Sequence, residues 1–328
     1  MSQKINGKQP LFDKLIVTLA KEFTTRSLLK VYKALFSILM QRETGDILVE
    51  KQYWDTAFMD WNKQKPPARP TEQEINAYED FLKMSSNPKN ILLLGSTPEL
   101  RDLLSSWYGT SNIFIADFSI SMLNGLMKFT RKASMDQEIW VKTDWLNSAL
   151  PKKFFDIIVG DLVLQQYVPA KEKDFFEAIS MLLGEKGLFI TRVNVTTGQF
   201  KNISLKTLFS NARPSDKNGE VPLLYWKIRD KYAGDSNRSM DFDFAIQELK
   251  QFILAANNEA DRESALRIIN RLFMDQKKNR WRYAFPTEEQ LRASFNSFFD
   301  EISRARDENT VDFPSFPILL LAKKQCLH

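Results

Sequence analysis

The stretch Asn90-Ile91-Leu92-Leu93-Leu94-Gly95-Ser96-Thr97-Pro98-Glu99-Leu100-Arg101 constrains this chain more than any other. Ile91 to Leu94 is apolar without alternation, which predicts a strand buried on both faces and hence a parallel sheet. The run stops at Gly95, a residue that lets the backbone turn sharply. A helix start follows at once: Thr97 suits the N-cap, Pro98 the first helical position and Glu99 the first turn. A strand turning tightly into a helix is where doubly wound α/β sheets hold nucleotide-like ligands.

The rest of the chain extends this pattern. Thr71-Glu72-Gln73-Glu74 is a capping box and predicts a helix to about Met84. After strand 90–94 and helix 98–107, strands are expected at 112–116, 138–142, 155–159 and 188–193. Helices are expected at 119–133 and 171–183, with Gly184 and Gly187 bracketing a turn. The alternation predicts a doubly wound, mostly parallel α/β sheet. It lapses over 195–235, which is polar and reads as irregular, and over 240–256 and 259–275, which read as helices. It resumes at a second capping box, Thr287 to Gln290, with a helix to about Phe298 and strands at 299–305 and 317–323. The organisation expected is a helical cap (1–85), a core (86–194), a helical insertion that can act as a lid (195–285), and a C-terminal helix with a closing hairpin (286–328), giving seven strands in all.

Composition narrows the chemistry. One cysteine, Cys326, and one histidine, His328, leave no disulfide framework, no Ser-His-Asp triad, no Cys-His pair and no His- or Cys-based metal centre. No metal is expected. The net charge is +5, and residues 1–40 carry seven basic side chains against two acidic ones, so the rest of the chain is neutral overall. A nucleic-acid enzyme carries its basic surface near its site, and the body here has no such excess.

Acidic and glycine positions fall at successive strand ends: Gly95, Asp117, Asp144 and Asp161. Parallel strands bring these to one edge of the sheet. An acid after the second strand can accept both ribose hydroxyls, and one after the third can accept an adenine amino group, so the series suits an adenosine. Asp117 alone would equally suit a dinucleotide oxidoreductase, but the Gly-x-Gly-x-x-Gly loop of those enzymes is absent.

On these residues the chain resembles the class I S-adenosylmethionine-dependent methyltransferases, over about 88–193 and again over about 286–325. Gly95 with Ser96 and Thr97 matches the family's glycine-rich loop, Asp117 its ribose acid, and Asp144 with Trp145 its adenine side. Phe118, Ser119 and Met122 match the helix start beside the adenine. Gly160-Asp161 matches the fourth motif near the methyl group, and Leu183 to Ile190 the turn before strand 5. The usual acid two residues before the glycine is Leu93 here, and later loop glycines are Thr97 and Glu99. The likeness is thus to a divergent subgroup reading Leu-Gly-x-Thr-Pro-Glu-Leu-Arg, with an aromatic and Arg-Pro segment upstream. It implies that Glu99 meets the cofactor's ammonium group and Arg69 its carboxylate.

The implied activity is in-line methyl transfer from S-adenosylmethionine, leaving S-adenosylhomocysteine, to an O or N atom of a small molecule or peptide. Asp161 is the candidate general base, with polar contact to the cofactor as its other role, and Tyr167 is a weaker base candidate. Trp54, Trp61, Tyr167, Arg192, Trp281 and Tyr283 are candidates for the acceptor pocket. The fourth motif, Gly-Asp-Leu-Val, lacks the Asn/Asp-Pro-Pro-Tyr pattern of amino-directed nucleic-acid enzymes. A catalytically inactive S-adenosylmethionine-binding or scaffold protein and an RNA methyltransferase are the rival functions.

Residues 10–23 and 27–41 read as amphipathic helices, suited to packing on the main domain, to a homodimer contact, or to a peripheral membrane surface. No stretch reads as a secretory signal, and a cytoplasmic location is expected.

Overall fold

The computed structural model describes residues 51–212, 223–234, 238, 240–277, 283, 285–307 and 316–325. All of these residues fall in one compact unit, Asp46 to His328. The two amphipathic N-terminal segments therefore lie outside the described residues, whereas the rest of the expected cap belongs with the sheet.

The helices are α1 (Lys51–Ala57), α2 (Glu72–Lys83), α3 (Pro98–Leu104), α4 (Ile120–Leu126), α5 (Glu172–Leu182), α6 (Leu205–Ser210), α7 (Leu223–Lys231), α8 (Phe242–Ala255), α9 (Glu259–Lys277) and α10 (Glu288–Phe295). The strands are β1 (Asn90–Leu94), β2 (Asn112–Asp117), β3 (Ile139–Lys142), β4 (Phe155–Asp161), β5 (Leu183–Arg192), β6 (Phe299–Ala305) and β7 (Ile318–Lys323). They form one sheet in the order β3-β2-β1-β4-β5-β7-β6. All neighbours are parallel except β7, which runs antiparallel to both β5 and β6.

The unbroken apolar run of β1 has the predicted consequence. Ile91 and Leu93 pack with Tyr78 and Leu82 of α2 and with Leu100 and Leu104 of α3. Leu92 and Leu94 enter the opposite layer with Phe175 and Phe176 of α5 and with Leu291 and Phe295 of α10. Successive side chains of a strand point to opposite faces, so a strand covered on both sides must be apolar throughout. Both predicted capping boxes form: Thr71 with Glu74 at α2, and Thr287 with Gln290 at α10.

Three local readings are corrected. The helix expected over 119–133 stops at Leu126, and a short 3-10 turn follows. The Asp102 carboxylate accepts hydrogen bonds from the backbone N–H groups of Arg131, Lys132 and Ala133 at 2.7–3.0 Å, which holds that segment outside a helix. The turn expected between Gly184 and Gly187 lies inside β5, which starts at Leu183 with a register shift against β4. Residues 195–235, read as irregular, contain α6 and α7. These short helices gain stability from tertiary packing rather than from length. Leu208, Phe209, Leu224, Tyr225 and Ile228 enter a second core with Leu249 of α8 and Ile268 and Leu272 of α9. No described helix is long and apolar enough to cross a membrane.

Candidate functional site

A cavity opens beyond the carboxyl ends of β1, β2 and β4. Gly95, Ser96 and Thr97 line it after β1, Asp117 and Phe118 after β2, and Asp161, Leu162 and Val163 after β4. Met122 and Trp145 complete the β2 side, while Tyr53, Trp54 and Trp61 supply a wall from the segment before α2. Trp226, Arg271 and Phe285, from the insertion, and Phe316 close the other side.

Each strand end is built differently. Gly95 adopts φ +80, a left-handed conformation that favours glycine, and its N–H donates to the Ala116 carbonyl at 2.8 Å. A Cβ there would meet only Trp145 Cζ2, at 4.0 Å, so the space over the turn is open. Thr97 does not cap α3 with its side chain, contrary to expectation. Its hydroxyl makes no such bond, and the residue is buried in the cavity wall instead.

Asp117 is buried at the end of β2. Its Oδ2 accepts from Ser96 Oγ at 2.9 Å and its Oδ1 from Ser119 N at 2.9 Å. Burial pushes this carboxyl up to about 6, against the smaller opposing pull of those two hydrogen bonds. Ser119 itself caps α4 and donates to Asp55 Oδ1 at 2.7 Å, so it supports the strand end without lining the cavity.

Asp144 is not brought to the cavity. Its Oδ1 accepts from Leu146 N at 3.0 Å, closing a local turn, and Trp145 occupies the wall with its indole bonded to the Ala116 carbonyl at 2.9 Å. Gly160 is likewise behind the wall, its carbonyl accepting from Tyr78 Oη at 2.7 Å. Glu99 and Arg69 pair with each other: Arg69 Nε donates to Glu99 Oε1 at 2.8 Å, and the guanidinium lies 5.5 Å from the Trp61 ring centre. The second oxygen, Glu99 Oε2, is buried without a hydrogen-bond partner.

The fourth strand end departs most from the reading as an acid–base site. Arg192 Nε donates to Asp161 Oδ1 at 2.7 Å and Nη2 to Oδ2 at 3.1 Å, while Nη1 donates to Glu74 Oε2 at 2.7 Å. Burial alone would pull the Arg192 guanidinium down; Asp161 and Glu74 more than offset it and hold it above its ordinary value. Burial raises the Glu74 carboxyl despite the Arg192 charge beside it. Asp161 reaches the cavity with both oxygens engaged, and Arg192, fully buried, is removed from the acceptor pocket proposed for it. Leu162 follows at φ +55, a rare conformation for a branched residue, and its N–H donates to the Arg192 carbonyl at 3.0 Å.

Of the other pocket candidates, Trp54 and Trp61 line the cavity. Tyr167 is buried in the core, its ring 5.4 Å from that of Phe175 and its hydroxyl 3.5 Å from Asp144 Oδ1. Tyr283 contributes a carbonyl to Arg229 Nη2 at 3.0 Å and does not line the cavity. Trp281 lies outside the described residues. Sequence reasoning missed Tyr53, Trp226, Arg271 and Phe316. Their only signal was aromatic clustering around 53–61 and 225–232, and no spacing rule ties residue 271 to residue 54.

No family model matches the sequence, and no curated protein matches it. Among solved structures, the chain is similar to a Rhodobacter sphaeroides protein described as "Putative Zn-dependent Alcohol Dehydrogenases", at 14% identity over 83% of this chain and 97% of that chain, with a TM-score of 0.50. It is also similar to magnesium protoporphyrin IX methyltransferase from Synechocystis PCC 6803, at 10% identity over 84% and 97% with a TM-score of 0.46. A third is the N-methyltransferase NodS from Bradyrhizobium japonicum WM9, at 10% identity over 82% and 98% with a TM-score of 0.45. Likeness at such identities concerns architecture alone, and the weight rests on the sheet itself. Five parallel strands ordered 3-2-1-4-5, closed by a hairpin whose β7 inserts antiparallel between β5 and β6, are the fold of the class I S-adenosylmethionine-dependent methyltransferases.

Proposed function

We propose that this chain binds S-adenosylmethionine and transfers its methyl group to an O or N atom of a small-molecule or peptide acceptor. The observation that carries this reading is the cavity at the carboxyl edge of β1, β2 and β4, with an open glycine turn on one side and a buried acid, Asp117, on the other. The residues suit the cofactor. The turn at Gly95 leaves room for a chain lying across it. Asp117 holds one hydrogen bond on each oxygen and keeps acceptor capacity for ribose hydroxyls. Met122 and Trp145 offer apolar surface for a base. Glu99 and Arg69, expected to meet the cofactor's ammonium and carboxylate groups, are paired with each other outside the cavity lining, so those contacts require the pair to open.

When bound, the cofactor supplies a methyl group already activated by its sulfonium, so the protein need not generate an electrophile. The chain's own work is to orient the two reactants and exclude water, which the aromatic walls do. Asp161, committed to Arg192, is poorly placed to take a proton. An acceptor that needs no strong base, such as a neutral amine or an acidic hydroxyl, fits that arrangement.

Calorimetric titration with S-adenosylmethionine and S-adenosylhomocysteine tests the reading. Saturable binding of both, abolished by Asp117→Ala, supports it; no binding at millimolar concentration rejects it. Binding with no methyl transfer to any acceptor favours a non-catalytic S-adenosylmethionine-binding protein, a reading to which the clamped Asp161 lends weight.

A further inference from the structure

The cavity is lined by three indole donors with nothing to bond. Trp54, Trp61 and Trp226 all line the cavity, and the indole N–H of each is buried without a hydrogen-bond partner. Leaving a buried donor unpaired costs about 1–3 kcal/mol, and the donors fall on facing walls: Trp54 and Trp61 on one, Trp226 on the insertion side. A cation stands with them. Arg271 of α9 is the one cationic side chain in the lining among the described residues, and its side chain keeps 24% of its exposure.

Arg271 is anchored but loosely matched. Its Nε lies 3.3 Å from Asp275 Oδ2, out of line for a hydrogen bond, and Asp275 Oδ1 has no partner. Tyr225 Oη donates to Asp275 Oδ2 at 2.6 Å and fixes that carboxylate from below. Arg271 also interacts with the Tyr225 hydroxyl and, more weakly, with Tyr53. Tyr225 packs its ring 5.2 Å from that of Trp226. Tyr53 packs its ring 5.0 Å from that of Trp54.

We propose that the insertion side of the cavity, with Arg271 and Trp226, recognises a carboxylate on an apolar, ring-sized acceptor, an assignment that rests on the methyl-transfer reading above. The Arg271 guanidinium and the Trp226 indole N–H take the carboxylate oxygens, and the facing aromatic rings take the body. A phosphate dianion fits less well: a single guanidinium already facing Asp275 cannot compensate two buried negative charges. The carboxylate is the anchor, and the atom methylated is elsewhere on the acceptor. The cofactor also carries a carboxylate, so the test separates the two sources.

The experiment measures binding of matched acid and amide probes, indole-3-acetate against indole-3-acetamide and 4-hydroxybenzoate against 4-hydroxybenzamide, to the full chain by calorimetry, with and without saturating S-adenosylhomocysteine. Titration with S-adenosylhomocysteine alone comes first, so failure of the cofactor reading registers separately, and the acid–amide comparison still decides this proposal. The acid of at least one pair is expected to bind about tenfold or more tighter than its amide, as a charge-assisted contact requires. Arg271→Gln is expected to level the two while leaving S-adenosylhomocysteine affinity intact. Trp226→Phe, which keeps a ring and deletes one donor, is expected to weaken the acid several-fold, and it serves as the test if Arg271→Gln does not fold. Equal binding of acid and amide, binding of neither, or an unchanged acid affinity in Trp226→Phe overturns the proposal. So does an Arg271→Gln protein that loses S-adenosylhomocysteine affinity yet keeps the acid preference, because the guanidinium then serves the cofactor.

Discussion

Arg192 and Asp161 meet across β5 and β4 in a two-pronged ion pair, both side chains almost wholly buried. The pair ends the two central strands at the cavity and turns a candidate base into part of the frame. Neutralising Asp161 leaves Arg192 still paired with Glu74 and weakens its two charge-assisted hydrogen bonds to the Asp161 side chain, at a cost of about 1.5–3 kcal/mol. Asp161→Asn is therefore expected to lower stability by about that amount in urea unfolding. A general base contributes a factor of about 100 or more. If Asp161→Asn loses that much turnover at undiminished stability, Asp161 is a base after all.

Tyr78 ties the same frame from the helix side. Its hydroxyl donates to the Gly160 carbonyl at 2.7 Å and accepts from Arg192 N at 2.8 Å. Tyr78→Phe strands a buried donor and a buried acceptor at once, and a loss of about 2 kcal/mol is expected in chemical denaturation. An unchanged midpoint would mean that water replaces the hydroxyl.

Asp117 gives a pH signature. Burial raises it from an ordinary 3.8 to about 6. Between those values the folded protein holds a proton that the unfolded chain has released. The stability contributed by the neutral acid is full below the unfolded value and lost as pH rises through about 6, a change of about 3 kcal/mol. Asp117→Asn should abolish that slope and be the more stable protein at neutral pH. Cofactor affinity should run the opposite way, since the charged form is the better acceptor of ribose hydroxyls. The Kd for S-adenosylhomocysteine should rise as pH falls below about 6. A flat profile in wild type would detach Asp117 from the ligand.

Gly125 couples the aromatic wall to α4. A Cβ built there would sit 2.3 Å from Phe58 Cγ, too close to be relieved without moving the segment that carries Trp54 and Trp61. Gly125→Ala should weaken ligand binding several-fold without touching the ligand, and the double variant with Phe58→Ala should recover most of it. If Gly125→Ala binds as wild type does, the wall is not held by this contact.

The sequence by itself determined the sheet and the edge of it that matters. The unbroken apolar run before Gly95 could be buried only between two layers, and Asp117 and Asp161 meet at one cavity because parallel strands share one carboxyl edge. Two capping boxes, each local in chain and in chemistry, were legible residue by residue. Only the tertiary structure decided what each strand-end residue does there. Asp161 and Arg192 lie thirty-one positions apart, and Glu74 lies another eighty-seven upstream, so their pairing leaves no local trace. Arg101, read as part of the loop motif, is buried and held by Glu138, with its Nε 2.9 Å from Oε1. Asp144 turned to its own backbone while Trp145 took the wall. The helices α6 and α7 are too short to announce themselves and exist because the second core stabilises them. That core brings Arg271 and Trp226 to the cavity opposite Trp54, a juxtaposition set by packing between elements distant in the chain, which no periodicity within any one of them encodes.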